Sequence, residues 1–199
     1  RMHINTHLKP ESAGKTGLGI YADGMVEHDG HVGQVLAKLK ELGLDENTIV
    51  MYSTDNGAET FTWPDGGTTM FKGEKNTNWE GGYRVPCMIK WPGTIKTGYI
   101  VAHEDMLSTL VAAAGAPTAK DDLLKGLAIG DMTYKVHLDG YDLGPALRGE
   151  AEWPRKEFIY WTDDGSVAAL GYEELTVTFL AQYAPGLEAR SQPSSASRT

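Results

Sequence analysis

The stretch Asn47-Thr48-Ile49-Val50-Met51-Tyr52-Ser53-Thr54-Asp55-Asn56-Gly57 joins an apolar, β-branched run to an acid, an amide and a glycine. The turn-like Gly43-Leu44-Asp45-Glu46 precedes it, and residues 47–54 read as a strand buried on both faces. Upstream, Met25, Val32, Val35, Leu36, Leu39 and Leu42 fall at the spacing of one helix face between Tyr21 and Leu42, and Gly43 ends the pattern. Helix followed by strand predicts an α/β sheet. In such sheets ligands collect beyond the carboxyl ends of the strands, where Asp55 and Asn56 fall. A carboxylate beside an amide carbonyl offers hard oxygen ligands suited to calcium or magnesium, and Gly57 lets the backbone turn sharply. The same three residues also favour a plain turn for local reasons, so the pattern alone leaves both readings open.

Residues 55–83 are rich in glycine and show little periodicity, which predicts a long irregular segment of the kind that serves a site. The run Phe71-Lys72-Gly73-Glu74-Lys75-Asn76-Thr77-Asn78-Trp79-Glu80-Gly81-Gly82-Tyr83-Arg84-Val85-Pro86 gathers three cations and several amide or hydroxyl donors. Lysine is a compact point charge matched to a tetrahedral oxyanion, although a solvated loop is the commoner fate of such residues. Arg84 to Trp91 reads as a second strand stopped by Pro92-Gly93, and Glu104 to Ala114 as a helix ended by Gly115. Residues 118–150 are mixed, with Asp139-Gly140-Tyr141-Asp142-Leu143 as a turn before a short helix. Beyond Pro154, Phe158 to Thr162, Ser166 to Leu170 and Leu175 to Leu180 predict a small antiparallel sheet. Residues 186–199 collapse into Ser, Arg, Ala and Pro and predict a disordered tail.

A chain of 199 residues with 41% hydrophobic and 23% charged residues is expected to fold around one sizeable core. Its 18 basic and 27 acidic residues give a net charge of -9, which argues against nucleic acid as a partner. An acidic protein that handles an anion must concentrate its cations, or a metal, at one place. Cys87 is the only cysteine, so no internal disulfide can form; within the apolar run Val85 to Ile89 it reads as a buried core residue. The apolar runs fall well short of the roughly 20 residues of a membrane helix. The opening Arg1-Met2-His3 does not read as a signal peptide but as the start of a fragment or processed chain, compatible with a periplasmic, secreted or cytoplasmic location. His28, His31, His103 and His137 read as structural hydrogen-bonders, and Trp63 and Trp79 as packing anchors or pocket walls.

Taken together, Asp55-Asn56-Gly57, Lys75 and Trp79-Glu80-Gly81-Gly82-Tyr83-Arg84-Val85-Pro86 resemble the sulfatase family, of arylsulfatase type, a branch of the alkaline phosphatase-like superfamily. The resemblance implies part of an alkaline phosphatase-like α/β/α sheet over residues 1–150, a small antiparallel subdomain over 151–185 and a tail over 186–199. It implies that Asp55 and Asn56 are calcium ligands and that Lys75 contacts the sulfate group. It also implies that a histidine in Met2 to Pro10, His3 or alternatively His7, serves the substrate as a catalytic group. The implied activity is calcium-dependent hydrolysis of a sulfate ester of a small molecule or carbohydrate. The family's nucleophile is formylglycine made from Cys/Ser-x-Pro-x-Arg, and this sequence contains no such motif: Pro86-Cys87-Met88-Ile89-Lys90 lacks its proline and its arginine. Glu173-Glu174-Leu175-Thr176 also departs from the family, which usually has Trp-Lys there. The strands and calcium carboxylates that precede this region in the family are absent too, which implies an exposed sheet edge able to self-associate. Two other readings remain: a phosphodiesterase or phosphonate hydrolase of the same superfamily, and a non-catalytic fragment or interaction module.

Overall fold

A computed structural model describes residues 2–3, 7–95, 101–162 and 164–180. In chain order its elements are α1 (Ile20–Glu41), β1 (Val50–Ser53), α2 (Glu80–Tyr83), β2 (Cys87–Lys90), α3 (His103–Ala113), α4 (Ala119–Lys125), β3 (Leu127–Ile129), β4 (Met132–Tyr134), α5 (Gly144–Leu147), β5 (Glu157–Trp161), β6 (Val167–Tyr172) and β7 (Leu175–Thr178). The two long helices and all five strands expected from periodicity are present, and 55–83 is irregular apart from the single turn of α2. Both long helices stop where a glycine follows in the left-handed region, Gly43 at φ 67° and Gly115 at φ 103°. The tail expected over 186–199 lies outside the described residues.

Strands β1 and β2 pair antiparallel, Val50 opposite Lys90 and Ser53 opposite Cys87. β3 and β4 form a second antiparallel pair, and β5-β6-β7 a three-stranded sheet. Short turns link its strands: Thr162 N–H donates to Ser166 O across the β5–β6 turn, and Glu173 lies in the left-handed region between β6 and β7. Mixed helices and strands closed by this small C-terminal sheet match the expected fold class. Two expectations need correction. β1 is not buried on both faces: Met51 is exposed, and its neighbours are half-buried. Cys87 is likewise exposed, as are Met88 and Lys90 beside it. The physical reason is the same for both: among the described residues this sheet has only two strands, and its faces are only partly covered.

The chain divides into two compact units. The first takes the described residues of Arg1–Pro92, Tyr160–Ala169 and Val177–Thr199. In it, α1 is tied down by carboxylates. Asp65, from the irregular segment, accepts the Tyr21 N–H at 3.0 Å and so caps the first turn of the helix. Asp23, buried within α1, accepts the Gly14 N–H at 2.6 Å and both the N–H and hydroxyl of Thr16 at 2.8 Å. His28 of α1 lays its ring against Tyr52 of β1, centroids 5.6 Å apart. Tyr83, at the end of α2, meets Tyr160 edge-on at 5.1 Å and donates its hydroxyl to the Trp161 carbonyl at 2.5 Å.

The second unit takes the described residues of Gly93–Ile159 and Leu170–Thr176. Its centre is an ion pair between Asp105, fully buried in the first turn of α3, and Arg155. Arg155 Nε and Nη2 reach the two carboxylate oxygens at 2.6 and 2.7 Å, Nη2 also reaches Glu104 at 2.7 Å, and Nη1 donates to the Glu157 carbonyl at 3.1 Å. Asp105 in turn accepts the N–H of Ala102 and of Tyr141. Burial pulls the Arg155 pKa down, but the Asp105 and Glu104 carboxylates outweigh it and hold the guanidinium charged. Around this pair Thr109 accepts the Leu143 N–H, and Leu143, Ala146 and Leu147 bury themselves beside α3.

Two outcomes follow from these carboxylates. Removing one partner of a fully hydrogen-bonded buried pair strands the other, so Asp105→Ala lowers stability by about 3–5 kcal/mol in urea unfolding. Asp23 has its pKa lowered, chiefly by the Thr16 backbone bond and then by its hydroxyl. Its contribution to stability is therefore complete above the ordinary carboxylate range and is lost as pH falls through the lowered folded-state value. Asp23→Asn flattens that acid limb, read as unfolding midpoints between about pH 5 and pH 2.

Candidate functional site

The turn at the end of β1 is fused to the lysine-bearing loop by backbone hydrogen bonds. Gly57 N–H donates to the Gly82 carbonyl at 2.9 Å, Lys75 N–H to the Ala58 carbonyl at 2.8 Å, and Gly81 N–H to the Lys72 carbonyl at 2.8 Å. Such proximity requires hydrogen in place of a side chain. A Cβ on Gly57 would overlap the Gly81 carbonyl oxygen, and one on Gly81 would overlap the Gly73 carbonyl oxygen. Both clashes are with backbone and cannot be relieved by a rotamer change.

The loop is stiffened from within. Buried Thr77 donates its hydroxyl to the Glu74 carbonyl at 2.6 Å and accepts the Glu74 N–H at 3.1 Å. The Glu74 carboxylate reaches back to Thr60, accepting its N–H and its hydroxyl, both at 2.7 Å. Asn76, beside Lys75, adopts φ 67°, a conformation asparagine tolerates better than most residues. Lys72 stacks its ammonium over the Trp79 ring at 3.6 Å, and Arg84 lies over Phe71 at 4.7 Å. Trp79 therefore serves as a packing anchor.

The sequence-predicted residues fall as follows. Asp55 is exposed and accepts the Thr54 hydroxyl at 3.4 Å on one carboxylate oxygen, while half-buried Asn56 turns its Nδ2 to the Gly57 carbonyl at 3.0 Å. Among the described residues no donor is bonded to Asn56 Oδ1 or to the second Asp55 oxygen. Oxygens of this hard kind suit calcium or magnesium, and two of them would fill two of the roughly six to eight positions calcium takes. Among the described residues no group of three or more His, Cys, Asp and Glu side chains could hold a metal. Lys75, joined to this turn through Ala58, has a side chain only 15% exposed. Its ammonium is 3.5 Å from Glu59 Oε2, a carboxylate that sequence reasoning passed over. The one signal for Glu59 was its place two residues beyond Gly57.

His3 and His7 are both exposed. His3 is attached to the irregular segment through its neighbour: Trp63 Nε1 donates to the Met2 carbonyl at 2.9 Å, and Trp63 meets Tyr21 edge-on at 5.7 Å. Trp63 is thus also an anchor. Met2 packs closely against Gly24 of α1, where a Cβ would collide with the methionine sulfur.

Comparison with known proteins gives a consistent result. The sulfatase family model matches residues 9–116, which include the whole Asp55 to Lys75 arrangement. Mouse steryl-sulfatase is 33% identical over 92% of this chain and 29% of its own length, and human arylsulfatase A 36% identical over 75% and 27%. Among solved structures, a sulfatase from Pseudoalteromonas sp. superimposes with a TM-score of 0.74 at 27% identity, over 90% of this chain and 34% of its own. The chain spans less than a third of the length of these curated relatives.

Gly57→Ala, whose Cβ meets the Gly81 carbonyl, and Gly81→Ala, whose Cβ meets the Gly73 carbonyl within its own loop, each cost about 1–3 kcal/mol or more. Because Gly81 takes part in both contacts the two effects are not independent, and the double variant is less destabilised than the two added together, which a urea-unfolding double-mutant cycle measures.

Proposed function

The chain belongs to the sulfatase family, and from that premise we propose that it carries the cation-ligating turn and the sulfate-contacting lysine of a sulfuric ester hydrolase. The substrate is a sulfate ester of a small molecule or a carbohydrate. The observation that carries this reading is the Lys75 N–H bond to the Ala58 carbonyl, which ties the lysine to the turn of Asp55 and Asn56.

Lys75 meets the sulfate oxygens, and its charge stabilises the negative charge that shifts toward the leaving oxygen as the S–O bond breaks. Asp55 and Asn56 present their side-chain oxygens to the cation, and His3, or His7 in its place, gives a proton to the leaving oxygen. Calcium bound at those oxygens supplies charge neutralisation for the sulfate and the attacking group. The nucleophile, formylglycine in the family, is not encoded in this sequence, so turnover needs polypeptide that carries it. The edges of the β1–β2 sheet, which has two strands among the described residues, offer such polypeptide, or a second copy of this chain, backbone groups to pair with.

The missing Cys/Ser-x-Pro-x-Arg motif, with the absence of a three-ligand cluster among the described residues, favours a second reading for the 199 residues alone, a non-catalytic fragment. The two readings separate by assay. In a polypeptide that includes the nucleophile, Lys75→Ala lowers aryl sulfate turnover by about 10²-fold or more, and Asp55→Ala removes stimulation by calcium. The 199-residue chain by itself turns over no chromogenic ester. Faster turnover of aryl phosphate than of aryl sulfate by the longer polypeptide would overturn the sulfatase reading in favour of a phosphoester hydrolase.

A further inference from the structure

We propose that Glu59 is a positioning residue for Lys75: its carboxylate holds the ammonium where the sulfate oxygens arrive. This rests on the reading of Lys75 as the sulfate contact. Glu59 Oε2 lies 3.5 Å from Lys75 Nζ, and only 14% and 15% of the two side chains are exposed. Burying an ammonium is costly unless an opposite charge accompanies it, and a four-carbon stem must otherwise lose its rotamer freedom unaided. Glu59 meets both needs.

The backbone fixes both members of the pair. Lys75 N–H is bonded to the carbonyl of Ala58, the residue before Glu59, and the Glu59 carbonyl accepts the Trp63 N–H at 3.1 Å. One residue on from Glu59 and one residue back from Lys75, Glu74 grips Thr60 through two bonds of 2.7 Å. Two acidic side chains thus cross between the same two segments in opposite directions, Glu59 to Lys75 and Glu74 to Thr60. Lys72, in the same loop, is exposed and has its ammonium over the Trp79 ring instead. The 3.5 Å ion pair balances the charge of an ammonium that has three donors, which leaves donors for a tetrahedral anion.

The first experiment uses the wild-type 199-residue chain. A water-soluble carbodiimide condenses a carboxylate with an amine in contact, with loss of water, and peptide mass spectrometry reads the product. The expected product is a Glu59–Lys75 isopeptide. Its absence, while added glycine ethyl ester is coupled to Glu59, overturns the pairing whether or not any variant folds.

The second experiment follows reductive dimethylation of individual lysines. Lys75 reacts about fivefold faster or more in Glu59→Gln than in wild type, Lys72 is unchanged, and Glu59→Asp, which keeps the charge, retains at least half of the protection. Equal Lys75 rates in wild type and Glu59→Gln overturn the proposal, as does an equal gain at Lys72, the mark of general loosening. Inorganic sulfate separates the inference from its premise. Sulfate that fails to slow Lys75 labelling, with the isopeptide present, overturns the sulfate contact and the positioning role with it. A missing isopeptide with sulfate protection intact overturns the role of Glu59 alone.

Discussion

The close approach of Gly57 to Gly81 is the constraint on which the site depends. Two chain segments lie so near that a methyl group on either would overlap backbone of the other or of its loop. At that separation the Gly57–Gly82 and Lys75–Ala58 hydrogen bonds join the two segments, while the Gly81–Lys72 bond closes the loop on itself. They place a carboxylate, an amide and a lysine, brought from positions about twenty residues apart in sequence, on one framework. A long irregular segment must also satisfy its own polar groups. This one does so through Thr77 and Glu74 internally and through Asp65 at the start of α1.

The two units solve the problem of stability differently. The second has a dry centre, where Asp105 accepts from Arg155, Ala102 and Tyr141, and Leu143 and Leu147 fill the space beside it. The first leaves apolar side chains in water, including Val35 and Leu36 on α1, Met51 on β1 and Met88 on β2. An apolar surface of that kind, beside a sheet that has two strands among the described residues, is what a larger sheet would cover. The chain covers less than a third of the curated relatives it matches.

The two long helices and the apolar strands were legible in the sequence, whereas α2, α4 and the β3–β4 hairpin were not. The periodicity of α1 over 22 residues and of α3 over 11 is averaged over several turns, so each helix was recognisable to within a residue or two. Strands β3 and β4 have three residues each, too few to display alternation, and the hairpin they form escaped notice despite the Gly130-Asp131 turn. The single turn of α2 follows from the crowding of Gly81 and Gly82 against Lys72, Glu74 and Thr77, a cause that lies across the loop and not in local propensity. Burial was misjudged at β1 and Cys87 because an apolar run reports a preference for burial, whereas burial itself requires a covering layer.

By itself the sequence determined the order of elements, the family and the residue types at the site, because periodicity and short motifs are local properties of the chain. Tertiary structure decided which of those residues meet. That Lys75 is bonded to Ala58 and paired with Glu59, that Arg155 finds Asp105 fifty positions away, and that Cys87 faces solvent are all outcomes of how distant segments approach. The physical reason is that ion pairing and burial depend on separation in space, which spacing along the chain does not specify.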